Sequence, residues 1–97
     1  MVNRDQFVQQ LKQKIDEVNA DVDTLTARVD QAKSDTRQNY EQALTTLKQK
    51  RDQLEQRMEK IRSASEGAWE EMKGGAEQAR QELSQAWEQA KSRIQAQ

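Results

Sequence analysis

Apolar residues recur at alternating spacings of three and four along the first third of the chain: Val8, Leu11, Ile15, Val18, Val22, Leu25, Val29 and Ala32. That spacing puts them on one stripe of a helix, the seam of a coiled coil. The chain contains no proline to interrupt it. With Val8 at heptad position a, Val8, Ile15, Val22, Val29 and Thr36 occupy a, and Leu11, Val18, Leu25 and Ala32 occupy d. β-branched residues at a with some leucine at d favour two strands. Past Thr36 the pattern shifts to Tyr40, Ala43 and Leu44, so that eleven residues separate Thr36 from Leu47. Inside one helix such a shift is a stutter, which relaxes left-handed supercoiling. The seam resumes at Leu47, Leu54, Met58 and Ile61, broken by Arg51.

Three coincident signals place the first helix start near Asn3. Asn3 is a good N-cap, Gln6 completes a capping box, and Val2 with Phe7 fits a hydrophobic staple. The clearest turn is Ser63-Ala64-Ser65-Glu66-Gly67. Ser63 with Glu66 makes one capping box, and Ser65, with Ala64 and Trp69 as staple, is an alternative cap. Gly67 lowers helix propensity by roughly 1 kcal/mol relative to alanine. Charge changes sign at the same place. Residues 48–62 carry six basic and three acidic side chains, and residues 63–88 carry two basic and six acidic ones. Cations suit a helix C-terminus and anions an N-terminus, and folding back would pair the two segments. A second break near Ser34-Asp35-Thr36 is supported only by Asp35 with Gln38, a weak cap without a staple.

The last third reads as an eleven-residue repeat. Ala68 to Met72, Ala79 to Leu83 and Ala90 to Ile94 each pair a small residue with a large apolar one four positions on. Eleven residues in three turns is close to an untwisted helix. On this reading Ala68, Gly75, Ala79 and Ala86 form a small edge, Met72, Leu83, Ala90 and Ile94 a centre, and Trp69 and Trp87 a bulky edge. The expected helix-docking face is therefore Trp69, Met72, Gly75, Ala79, Leu83, Ala86, Trp87 and Ile94. Gly74-Gly75 marks either a kink or, at Gly75, a close contact.

The chain carries little that could do chemistry. It has no histidine and no cysteine, which excludes the usual activated nucleophiles, the usual zinc sites and the Glu-x-x-His di-iron motif. Carboxylate pairs at helical spacing, such as Glu17 with Asp21, Glu55 with Glu59 and Glu66 with Glu70, read as solvated surface. No cofactor and no metal are expected. The basic stretch Lys48 to Arg62 is interrupted by Asp52, Glu55 and Glu59, and the net charge of −1 argues against nucleic acid. Trp69 and Trp87 sit on a helix whose polar face is rich in glutamate, which would repel anionic lipid. No apolar run approaches the ~18–20 residues of a membrane span. Met1 to Leu11 lack the basic and apolar blocks of a signal peptide, so a cytoplasmic protein is expected.

Several segments carry a resemblance: Arg4-Asp5-Gln6-Phe7-Val8, Leu11-Lys12-Gln13-Lys14-Ile15-Asp16-Glu17, Asn19-Ala20-Asp21-Val22-Asp23, Tyr40-Glu41, and above all Ala64-Ser65-Glu66-Gly67-Ala68-Trp69-Glu70-Glu71-Met72-Lys73 with a second Ala-Trp at Ala86-Trp87. They resemble small bacterial coiled-coil stress-response proteins. The resemblance implies a bacterial, all-helical, cytoplasmic protein linked to stress. It implies no reaction, ligand or binding residue.

The combined expectation is one all-α domain over residues 1–97, an antiparallel helical hairpin or coiled coil. One helix would span 3–62, a turn 63–66 and a second helix 66–95; a three-helix bundle is the alternative. In the hairpin the seam from Val8 to Val29 has no partner within the chain, so self-association through Val8, Leu11, Ile15, Val18, Val22, Leu25 and Val29 is expected, a dimer first. The expected role is a non-enzymatic structural or protein-interaction protein associated with stress. The alternative is an amphipathic stabiliser of membrane surfaces, resembling desiccation-related or apolipoprotein-type helices.

Overall fold

The computed structural model describes residues 3–95, with side chains through Arg93. Three helices of similar length follow one another: α1 (Arg4–Gln31), α2 (Ser34–Ser63) and α3 (Glu66–Gln95). The protein is an all-α bundle measuring 50 × 18 × 17 Å. A helix of about 30 residues is ~45 Å long, so the long axis is one helix length. The single helix over 3–62, which would have reached ~90 Å, is instead two helices broken at Ala32–Lys33. The three-helix alternative is the one adopted.

The chain runs up, down and up. Arg51 on α2 donates to Asn19 on α1 at 3.1 Å, and Arg4 at the start of α1 donates to the Ala64 carbonyl at the end of α2. Lys50 on α2 lies 3.8 Å from Glu82 on α3. α1 and α3 are therefore parallel, and the Phe7 and Trp69 rings near their N-termini lie 6.1 Å apart between centroids. α2 packs closely on both neighbours, whereas α1 and α3 approach each other less closely.

The first helix starts as its sequence dictates. Gln6 N–H donates to Asn3 Oδ1 at 2.8 Å, and Asn3 N–H donates to Gln6 Oε1 at 3.3 Å, a complete capping box. Val2, the outer half of the expected staple, lies outside the described residues. α2 and α3 are joined through Ala64 and Ser65. Of the two possible caps Ser65 is used: its Oγ accepts the Ala68 N–H at 3.3 Å. Ser63 stays in the last turn of α2 and donates its hydroxyl to Glu59 O at 3.0 Å. The other junction has the same backbone design. Ala32 and Ala64 are both extended C-caps, and their N–H groups donate to Val29 O and Ile61 O, each at 3.3 Å. At this junction the N-cap of α2 is Lys33, with no side-chain cap.

Burial follows heptads within each helix. On α1 the buried positions are Phe7, Val8, Leu11, Ile15, Val18, Val22, Leu25 and Val29. On α2 they are Tyr40, Ala43, Leu47, Leu54, Met58 and Ile61. On α3 they are Trp69, Ala76, Ala79, Leu83, Ala86 and Ala90. The apparent stutter after Thr36 is thus a change of helix: the turn at Ala32–Lys33 resets the phase of the seam. The eleven-residue repeat of the last third is also corrected, because Trp69, Ala76, Leu83 and Ala90 are seven apart and share the interior. The α3 face is largely alanine, and small side chains let helix axes approach at the near end of the usual 8–10 Å range.

Candidate functional site

Both surfaces expected from the sequence lie largely inside the bundle. All seven seam residues on α1 are buried, from 0% exposed at Leu11 and Leu25 to 8% at Val29. The seam therefore has its partner within the chain, in α2 and α3, and the reason for expecting self-association of an unpaired stripe falls away. Burying each of these side chains contributes about 1.5–3 kcal/mol, which is ample reason for the chain to fold back twice.

The expected docking face divides. Trp69, Ala79, Leu83 and Ala86 are buried, and Trp87 is half-buried against the same core. Gly75 is contacted by the Arg57 guanidinium rather than by a kink or another backbone, and helix α3 continues through Gly74 and Gly75. Met72, expected at the centre of the face, is 36% exposed. Trp69 and Phe7 fill the interior near this end of the bundle and leave Met72 to the rim. The Ile94 side chain lies outside the described residues. Ala76, fully buried, was absent from the expected face; its seven-residue relation to Trp69 and Leu83 is the signal that locates it.

The most heavily tied region is the end where α1 begins and α2 meets α3. The Arg4 guanidinium donates to the Ala64 carbonyl, an orphan at a helix C-terminus, and lies 3.4 Å from Glu66. Glu66 also accepts Trp69 Nε1–H at 3.3 Å. Lys73 Nζ stands 5.0 Å from the centroid of the Trp69 ring, a cation–π contact. Each group here satisfies another, which leaves an ordered cap rather than an open site.

The groove between α1 and α3 holds the other notable cluster. Lys14, Arg80, Gln81, Ser84 and Gln85 line an open depression. Lys14 pairs with Glu17 at 3.9 Å, and Arg80 with Glu77 at 3.0 Å. Partial burial raises the Asp21 carboxyl above its ordinary value of 3.8, and Glu17 adds to the rise. Lys14 and Lys91 oppose it. Ion pairs as exposed as these are worth about 0–1 kcal/mol.

The basic stretch of α2 is also engaged within the chain. Lys50 reaches Glu82, Arg51 meets Asn19 and Asp52, and Arg62 meets Glu59. Among the described residues no buried side chain is polar, and no group of three or more acidic residues is placed to hold a metal ion. No helix among them is long and apolar enough to cross a membrane. No protein-family model, no curated protein and no solved structure matches this chain.

Proposed function

We propose that this chain is a non-enzymatic helical structural or protein-interaction protein that serves under stress. One observation carries the reading: the interior is wholly apolar, with the α1 seam and most of the α3 face consumed in it. What the bundle presents outward is a long polar surface of glutamine and paired charges. Such a surface suits contact and spacing, not bond-making. The stress association rests on the resemblance of the Ala64 to Lys73 segment and of Ala86-Trp87 to bacterial stress-response coiled coils.

The experiment is deletion of the gene in its host, followed by survival under osmotic, oxidative, heat and starvation stress. The expected result is lower survival under at least one stress, restored by the intact chain and by variants with altered pocket-lining polar residues such as Lys14→Ala and Arg80→Ala. Unchanged survival under all four overturns the stress assignment. Loss of rescue by those two variants would place the groove between α1 and α3 in the contact surface, and turnover of a substrate by the purified chain would overturn the non-enzymatic reading.

The membrane-surface alternative has a different signature. Trp69 is 2% exposed in the bundle, so spreading of the helices on lipid would move it from a protein core to an interface. Tryptophan emission unchanged by anionic and zwitterionic vesicles rejects that alternative; a spectral shift with added helicity favours it.

A further inference from the structure

The two turns share a backbone design but not a sequence logic. The Ala64–Ser65 turn is locked by the Ser65 cap, by Arg4 on the Ala64 carbonyl and by the Arg4–Glu66 pair. The Ala32–Lys33 turn has no side-chain cap; its side-chain tie is Arg37 Nε donating to Val29 O at 3.2 Å. Gln31, Ala32 and Lys33 are all good helix formers, with no glycine or proline among them. Val29 and Tyr40, which flank this turn, are buried yet stand apart from the contiguous core, which ends on α1 at Leu25 and begins on α2 at Ala43.

The apolar seam also continues through the turn. Val29, Ala32, Thr36, Tyr40, Ala43 and Leu47 keep spacings of three and four. In a straight helix they would form one uninterrupted stripe with a single stutter, which coiled coils tolerate. Across the other turn Ile61, Ala64, Ala68 and Met72 also keep spacings of three and four, but Met72 is exposed and the buried position is Trp69, five after Ala64, so a straight helix there would carry the seam out to solvent. Straightening at Ala32–Lys33 would also pair the orphan carbonyls at the end of α1 with the orphan amides at the start of α2.

We propose that Ala32–Lys33 is a hinge through which two copies of this chain exchange α1, forming a domain-swapped dimer. Each copy then has one continuous helix from Arg4 to Ser63, ~90 Å long at 1.5 Å per residue. Its α1 half packs on α2 and α3 of the other copy. The contacts that α1 makes with α2 and α3 away from the hinge are remade between copies, including Arg51 with Asn19 and Arg4 with Ala64 and Glu66, while the Arg37–Val29 tie across the turn is given up. The arrangement is two-fold symmetric and closed, as exchange of an identical element requires. The two hinges gain helical hydrogen bonds, and the loss of free translation opposes them. The dimer therefore grows with concentration. This exchange is independent of the stress role proposed above.

Lys33 offers a sharp test. Its φ is −73°, close to the value proline imposes, and Ala32 before it is extended, as a residue preceding proline must be. No hydrogen bond from the Lys33 amide is present among the described residues. Lys33→Pro therefore fits the closed turn and forbids the straight helix. The chain and its Lys33→Pro, Lys33→Gly and Lys33→Ala variants are refolded from denaturant over micromolar to millimolar concentration, and their mass is read by light scattering. The expected result is a concentration-dependent dimer for the natural chain. Lys33→Ala dimerises at least as well, Lys33→Gly several-fold more weakly, and Lys33→Pro on the order of a hundredfold or more weakly for each hinge. In parallel, single variants Asn19→Cys and Arg51→Cys are mixed unfolded, refolded together and treated with a short bis-maleimide. A 19-to-51 link between copies is expected. A monomer at every concentration overturns the proposal, as does a dimer that survives Lys33→Pro or forms without the 19-to-51 link.

Discussion

Arg57 lays its guanidinium over Gly75: Nη1 lies 2.7 Å from the point where a β-carbon on residue 75 would sit. Gly74, one residue before, has open space around the same point. Both glycines are inside a helix, where alanine is favoured by about 0.5–1 kcal/mol. Gly74→Ala should stabilise the bundle by that amount. Gly75→Ala should gain less, because it must push aside the flexible end of Arg57. In an Arg57→Ala background the two glycine substitutions should become equal. Urea unfolding of the three single variants and the two doubles measures this; equal gains in the natural background would mean that Arg57 does not occupy the space over Gly75.

Leu11, Leu54 and Leu83 are fully buried, one on each helix. Replacing any of them by alanine should cost 2–5 kcal/mol through lost burial and an incompletely closed cavity. Met72→Ala, at the exposed rim, should stay within about 0.5 kcal/mol. Denaturant midpoints of these variants distinguish the heptad interior from an eleven-residue one, which would make Met72 as costly as Leu83.

The capping box at Asn3 and the Ser65 cap should each contribute about 1 kcal/mol, the typical loss on replacing a cap by alanine. Asn3→Ala removes the acceptor for Gln6 N–H, and Ser65→Ala the acceptor for Ala68 N–H. Ser63→Ala should leave stability almost unchanged, since the Ser63 hydroxyl only back-bonds within its own helix. A larger effect at Ser63 than at Ser65 in thermal melts would contradict the observed start of α3.

Asp21 makes stability depend on pH in a defined direction. Its carboxyl is raised above 3.8 by burial, so the folded state binds its proton more tightly than the unfolded state. Above its raised value the charged form is the less favourable one in the fold. Stability from this group therefore falls as pH rises through the window just above 3.8. Asp21→Asn should raise the melting temperature slightly at pH 7 and have no such effect below 3.8, where both states carry the proton. The group is largely solvated, so the change belongs in the range of a few tenths of a kcal/mol typical of surface sites. A lower melting temperature for Asp21→Asn at pH 7 would show that pairing with Lys14 and Lys91 outweighs desolvation.

The two tryptophans should report different surroundings. Trp69 is buried against Phe7 with its indole N–H on Glu66, whereas Trp87 is half-buried. Trp69→Phe should leave an emission that acrylamide quenches readily, and Trp87→Phe one that resists it. Equal quenching of the two variants would place Trp69 outside the core.

The all-helical class, the seam residues of α1, the Asn3 capping box and the turn near Ser65 were all legible in the sequence, because each depends on residues three or four apart on one helix. Spacing within a helix is a local property, and it survives whatever the helix packs against. The break at Ala32–Lys33 was legible only as the weaker alternative, through the Asp35 with Gln38 cap signal beside it, because Ala32 and Lys33 carry no turn chemistry and the three-four spacing runs straight through them. Only the tertiary structure decides for the turn: folding back buries Val8 to Val29 against α2 and α3. It also decided which positions on α3 face inward, since the places of Gly75 and Met72 depend on Arg57, Phe7 and Trp69, which meet only in the bundle.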